Sequence, residues 1–144
     1  MNIDEVRAKV QRMLIEILGS AEVDKDGDFR IKKGSCQGWV KAKDYGDGDF
    51  LVKISAFLLF DVPESPELFE WIAKEGSLYY FGHPVYQSWE TEGKTSSILV
   101  LEHTLFANTL DLDELGYAIF GVFGTADDLD DSLKDRFGGE LTNA

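Results

Sequence analysis

The sequence predicts an α+β fold in which an antiparallel sheet has helices packed on one face. Three segments carry apolar residues at helical spacing, and between them apolar and polar residues alternate as they do in half-buried strands. The predicted order is α-β-β-β-α-β-β-α. The length of 144 residues suits one compact domain. We expect it to span residues 1–144, with a core at about 3–138 and a tail at 139–144.

The first helix is predicted to begin at Ile3. Its apolar residues recur at steps of three and four, which places one stripe on the side that faces a core. These residues are Val6, Val10, Leu14 and Ile17. Gly19 follows them and is predicted to end the helix.

Three strands are predicted next, joined by tight turns into an antiparallel meander. They are the segments FRIKKG, CQGWVKAKDYG and FLVKISAFLLFDV. In the second strand, Trp39, Lys41 and Lys43 alternate with Val40 and Ala42 and so share one face. In the third strand, Lys53 and Phe57 share a face, opposite the apolar positions between them.

The aspartates before the first of these strands, in VDKDGDFRI, allow two interpretations: a calcium loop or a turn between strands. A calcium loop of the EF-hand type needs a glycine at its sixth position and a glutamate at its twelfth. With Asp24 as the first ligand, Asp26 and Asp28 fit, but Phe29 and Ser35 occupy those two positions. The Asp-Gly pair also matches a hairpin turn, so we predict a turn.

The second half of the chain contains a helix, two strands and a final helix. Ser65 is a predicted N-cap with Pro66 at the first helical position of PELFEWIAKEG. The two strands are GHPVYQSWETE and SSILVLEHTLFAN. The last helix is predicted to begin after a capping aspartate and to run for about 35–40 Å at 1.5 Å per residue, although Gly121 and Gly124 weaken it.

One face of the predicted sheet carries aromatic and polar side chains together. Antiparallel sheets can leave one face in water, and an exposed surface that mixes aromatic and polar groups is typical of a contact with another chain. We therefore predict a binding surface for a protein or an extended peptide there. Its predicted contact residues are Trp39, Lys41, Lys53, Phe57, Gln87 and Trp89.

Composition excludes several classes of function. The formal charge of -13 repels nucleic acid and anionic membrane surfaces. The single cysteine, Cys36, fits a reducing compartment such as the cytoplasm, and the sequence shows neither a signal peptide pattern nor an apolar run long enough to span a membrane. His83 and His103 lack partners at metal-ligand spacing, and no catalytic or phosphate-binding motif is present. We expect no enzymatic activity, no cofactor and no metal site.

The last third of the chain, His103–Gly139, reads HTLFANTLDLDELGYAIFGVFGTADDLDDSLKDRFGG and resembles the C-terminal signature of the YbjN-like family. These domains are related to type III secretion chaperones and are common in actinobacteria. The stretches GDFRI and DVPESPELFEWI also fit, so the resemblance covers nearly the whole chain. It implies a secretion-chaperone-like fold, often dimeric, that binds protein or peptide without catalysis. Some relatives are described as sensory transduction regulators, which gives a role without a chemistry.

Two alternatives to peptide binding stay open at this stage. In the first, the aromatic face forms a homodimer, and the acidic run ADDLDDSLKD of the last helix binds a basic partner. The four aspartates 127, 128, 130 and 131 are expected on the solvated side of that helix. In the second, scattered acids and His103 form a site for a small molecule, which would make the protein a sensor.

Overall fold

The computed structural model describes residues 1–141, and that range contains three α-helices, a short 3-10 helix at Gly76–Leu78 and a six-stranded antiparallel sheet. The helices are α1 (Ile3–Leu18), α2 (Pro66–Lys74) and α3 (Leu112–Phe137). The strands are β1 (Glu22–Val23), β2 (Phe29–Lys33), β3 (Cys36–Gly46), β4 (Asp49–Phe60), β5 (His83–Thr91) and β6 (Lys94–Phe106). They lie in the order β1-β2-β3-β4-β6-β5. The predicted α+β class is confirmed.

The described part of the chain contains one strand more than predicted. The short strand β1 pairs with β2 in an antiparallel hairpin across the aspartate turn. Two residues are too few to show an alternating pattern, so the sequence gives no period from which β1 could be recognised. The observed order is therefore α-β-β-β-β-α-β-β-α.

The helices begin and end where local sequence signals place them. Ser65 and Asp111 accept hydrogen bonds from backbone N–H groups in the first turns of α2 and α3, as N-caps do. Gly19 ends α1 in the left-handed conformation, with φ of 86°.

Helix α3 runs without a break through Gly121 and Gly124 over 26 residues, or about 39 Å at 1.5 Å per residue. Gly121 lies where the Phe81 ring packs directly on the helix, since a Cβ at Gly121 would come within 2.6 Å of that ring. Close packing against Phe81 thus explains why a glycine occurs at position 121 inside the predicted long helix.

The two faces of the sheet differ in what covers them. On one face, helices α1 and α3 pack over the central strands, and residues such as Val40, Ile54 and Leu101 are fully buried. We call the opposite face the open face. It is formed by the alternate side chains of the same strands, including Arg30, Trp39, Lys41, Lys53, Phe57, Val100 and Glu102.

Candidate functional site

The open face is concave and forms a groove of about 970 Å³ that crosses strands β2 to β6. All six side chains predicted for partner contact line it. Trp39, Lys41, Lys53 and Phe57 lie on the two central strands β3 and β4, and Gln87 and Trp89 lie on the edge strand β5. The structure thus brings the six residues into one surface. The Trp89 side chain is 48% exposed.

Three aromatic rings form the apolar centre of this groove. The ring centroids of Trp39 and Phe57 are 5.5 Å apart with the rings edge to face, and those of Phe57 and Phe60 are 5.2 Å apart. All three side chains are partly exposed, so their ring surfaces are available to a ligand. Such rings offer a large contact area, which is the usual basis of recognition by aromatic residues.

Sequence reasoning missed Phe60 because strict alternation places residues 57 and 60 on opposite faces. The pairing of β4 with β6 shifts register between Phe57 and Leu59, which is the mark of a β-bulge. As a result Leu58 and Leu59 are both buried, and Phe60 lies in the groove with Phe57. The two adjacent leucines, followed by an aromatic residue, were the signal available in the sequence.

Lysine side chains surround the aromatic centre. Lys41 Nζ lies 4.5 Å from the centroid of the Trp39 ring, a cation–π contact, and 3.7 Å from a carboxylate oxygen of Asp28. Lys53 Nζ lies 3.5 Å from a carboxylate oxygen of Glu102. These contacts hold the two lysine stems along the sheet.

Three further cations line the groove: Arg30, Lys43 and Lys94. None of them is among the predicted contact residues, although the predicted alternation of the second strand already placed Lys43 with Trp39 and Lys41. Arg30 and Lys43 belong to the same alternation as Trp39 and Lys41, and both side chains are exposed. Strict alternation along β2 and β3 could have added Arg30 and Lys43 to the predicted contact residues.

The end of the described chain forms part of the groove wall. After α3, the backbones of Glu140 and Phe60 form two hydrogen bonds with each other. The Phe60 N–H donates to the Glu140 carbonyl oxygen at 2.7 Å, and the Glu140 N–H donates to the Phe60 carbonyl oxygen at 2.8 Å. Leu141 then lines the groove. Leu141 therefore bounds the groove next to Phe60.

The acidic run of α3 is partly structural. Ser35 donates to the Asp127 carboxylate from both its N–H and its hydroxyl, and its hydroxyl also lies 2.7 Å from Asp130 Oδ2. The hydrogen bonds from Ser35 hold the pKa of Asp127 below its ordinary value. The prediction that all four aspartates face solvent is wrong for Asp130, which is buried. Helical spacing alone could not reveal that the β2–β3 turn packs there.

Cys36 lies beside this contact, with its Sγ 3.7 Å from Asp130 Oδ2. Burial, together with the nearby carboxylates, raises the pKa of the thiol to about 12. Cys36, Asp127 and Asp130 bring one potential ligand atom each to within 4.8 Å of one another. Their hydrogen bonds show what this cluster does: it joins the β2–β3 turn to α3.

The two histidines lie on different faces of the sheet. His103 is paired in register with the buried Ile54, its Nδ1 accepts the Gly82 N–H at 3.1 Å, and its ring packs against Phe81. Burial lowers the pKa of His103, so the neutral ring is favoured. His83 is exposed and pairs with Glu102 of the open face. A small-molecule site built on His103 gains no support from this placement.

The aspartate segment forms a hairpin turn, as predicted. The Asp24 carboxylate accepts the backbone N–H groups of Asp26 at 2.8 Å and Asp28 at 3.0 Å, the pattern of an Asx turn. The hydrogen bond from Asp28 lowers the pKa of Asp24. The Asp24 side chain therefore stabilises the turn between β1 and β2.

Among residues 1–141, no helix combines the length and the apolar character that crossing a lipid bilayer requires.

These features define the class: an α+β protein with helices on one face of its sheet and an aromatic, basic groove on the other. The family described as T3SS (YopN, CesT) and YbjN peptide-binding chaperone 1, or TY-Chap1, matches residues 4–144. Because the match spans nearly the whole chain, the protein belongs to this family, and the resemblance to YbjN-like proteins and type III secretion chaperones is confirmed. No curated protein sequence matches the chain.

Proposed function

We propose that the protein binds an extended peptide, or a partly folded segment of another protein, on its open face and acts as a chaperone or adaptor. The observation that carries this proposal is the groove of about 970 Å³ lined by all six residues predicted for partner contact. Membership of a family of peptide-binding chaperones supports the same function.

The chemistry of the groove suits an extended chain. The side chains of an extended peptide alternate between its two sides, so one side can contact the rings of Trp39, Phe57 and Phe60 while the other remains in water. Gln87 and the lysines at the margin offer hydrogen bonds to peptide carbonyl groups. Aromatic anchors surrounded by polar groups are the usual composition of a protein interface.

The proposal contains no catalytic step. The His103 ring and the Cys36 thiol, two groups often used in catalysis, are held in structural contacts away from the groove. The protein would act by holding a segment of its partner, which protects that segment or prevents its other contacts. Regulation of the partner follows from the same binding. We place the protein in the cytoplasm because its one cysteine is a free thiol.

Selection from a random peptide display library tests this function directly. Wild-type protein and the variant Trp39→Glu are immobilised, and enriched peptides are identified by sequencing. The new carboxylate would lie next to Arg30 and Lys41, so we expect the variant to fold and to lose most of the enrichment. Circular dichroism and thermal unfolding verify the fold.

The matched control is Tyr117→Glu, which places the same charge on an aromatic position of α3 that is 71% exposed. This variant should select the same peptides as the wild type. If folded Trp39→Glu protein also selects them, the open face is not the binding site, and the exposed edge of β5 becomes the first surface to test.

Homodimer formation stays a prediction, and light scattering at micromolar concentration measures it. A dimer that dissociates in the Trp39→Glu variant would assign the open face to self-association. A dimer that persists in this variant would place the contact between copies elsewhere and leave the groove free for a peptide.

A further inference from the structure

The charge of the open face is opposite to that of the whole protein. The chain has a formal charge of -13, with 14 lysines and arginines against 27 acids. Among residues 1–141, five cations but only two carboxylates, Asp61 and Glu102, line the groove. Even with the carboxylate of Asp28, which lies 3.7 Å from Lys41 Nζ, the cations of the groove outnumber its carboxylates. Lysine and arginine are the less common charged residues of this chain, so the average composition does not account for their concentration in the groove.

Three of these lysines lie close together on neighbouring strands. Lys41 of β3 and Lys53 of β4 are paired directly opposite each other in the sheet register, and Lys43 lies two residues further along β3 on the same face. Like charges in directly opposite positions destabilise a sheet. Asp28 and Glu102 offset part of this repulsion, but Lys43 remains exposed.

We propose that the segment bound by the groove is acidic. Its aspartate or glutamate side chains contact the cluster formed by Lys41, Lys43 and Lys53, and its apolar side chains contact the rings of Trp39 and Phe57. A bound carboxylate would relieve the repulsion between Lys41 and Lys53, so the arrangement that destabilises the free protein favours the complex. This inference rests on the proposed function and specifies its ligand.

Two other occupants fit the charges less well. A second copy of the chain bound symmetrically through the same face would bring two positive grooves together, which is electrostatically unfavourable. Single-stranded nucleic acid can bind a basic groove with aromatic platforms. However, most of its phosphates would lie outside the groove, in the field of a protein with a formal charge of -13.

The peptides selected by wild-type protein at 50 mM salt test the inference through their composition. We expect aspartate and glutamate to be enriched over the input library, together with apolar residues. A selected peptide is then synthesised in two forms of about ten residues, one with its acids and one with the matching amides. The acidic form should bind about tenfold more tightly at 50 mM salt, and this preference should shrink at 300 mM salt.

Charge-neutral variants test whether the lysines cause the preference. The double variant Lys43→Gln/Lys53→Gln should bind the acidic and amide peptides with nearly equal affinity. The control Arg12→Gln/Lys74→Gln removes the same charge from α1 and α2 and should keep the preference. Fluorescence anisotropy of labelled peptides provides the affinities.

The outcomes separate this inference from the proposed function. Peptides that depend on Trp39 but show no enrichment in acids would leave peptide binding intact and overturn the acidic preference. If the wild type enriches no peptide over Trp39→Glu, both proposals fail. A single-stranded oligothymidine that binds more tightly than the acidic peptides would also overturn the inference, because the groove would then be a nucleic-acid site.

Discussion

The two faces of the sheet are built from the same strands, yet they differ in burial and in side-chain chemistry. On the helix side, Val40, Ile54 and Leu101 are fully buried under α1 and α3. One residue away along each strand, Trp39, Lys53 and Val100 belong to the open face. Aromatic rings on the open face are not needed to complete the core. The comparison teaches that alternate residues of one strand can complete the core on one face and leave aromatic rings partly exposed on the other, where the proposed function places the partner.

The largest expected effect is a loss of stability, and it compares two phenylalanines, one on the helix side of the sheet and one on the open face. Phe123 of α3 is fully buried against the sheet, so Phe123→Ala should lower the free energy of unfolding by about 3–5 kcal/mol. Phe57→Ala removes a partly exposed ring and should lower it by about 1–2 kcal/mol. Urea unfolding measures both values. Equal losses would mean that the open face supports the fold as strongly as the core does.

A pair of glycines tests how closely α3 lies on the sheet. A Cβ at Gly38 would come within 2.9 Å of the Phe123 ring and would also collide with the backbone of β4, whereas Gly124 has open space around it. Gly38→Ala should destabilise the protein by about 1–3 kcal/mol or more. Gly124→Ala should stabilise the protein by about 0.5–1 kcal/mol because alanine favours a helix. Opposite signs in thermal unfolding would verify the packing, and two losses would contradict it.

The two histidines, one on each face of the sheet, should differ in how they make the stability of the protein depend on pH. Burial lowers the pKa of His103, and its Nδ1 must be unprotonated to accept the Gly82 N–H. As the pH falls from about 7 to 5, the unfolded chain takes up a proton near its pKa of about 6.5, while the folded protein resists protonation. Stability that is present above this range is therefore lost on acidification.

Urea unfolding at several pH values measures this loss in the wild type and in His103→Gln, whose loss should be smaller. His83→Gln removes the nearby charge that is the smaller cause of the lowered pKa of His103, so its loss of stability should lie between those of the wild type and His103→Gln. An identical pH profile for His103→Gln would exclude His103 as the cause.

The smallest effect is expected from an exposed lysine of the groove. Lys43→Ala should change the free energy of unfolding by no more than about 0.5 kcal/mol, because the side chain is exposed on β3. The same variant should weaken binding of the acidic peptides. A large loss of stability would show that the groove's charges are needed for the fold.

Sequence reasoning succeeded where the determining interactions are local. Ser65, Asp111 and Gly19 mark helix ends because capping depends on residues a few positions away. The alternation around Trp39 and Lys53 likewise placed these two residues, with Lys41 and Phe57, on the face opposite the core, because the side-chain period of a strand is two.

Sequence reasoning failed where residues distant in sequence decide the outcome. Phe60 reaches the groove through a bulge in the pairing of β4 with β6, and Asp130 is buried by a turn that lies more than ninety residues earlier in the chain. The bulge leaves only the two adjacent leucines as a local sign, and the burial of Asp130 leaves none. The groove as a whole emerges only when five strands are placed side by side.

Because the only cysteine is buried, the reactivity of its thiol reports local opening of the structure that covers it. Cys36 lies at the start of β3 under α3, and its thiol, with a pKa near 12, stays protonated and shielded at neutral pH. A thiol reagent can modify it only when the β2–β3 hairpin opens away from α3. The same hairpin carries Arg30, Trp39 and Lys41 of the groove. The rate of thiol labelling with and without ligand would therefore measure how much a bound ligand suppresses opening of the hairpin. The measurement needs no introduced dye or mutation.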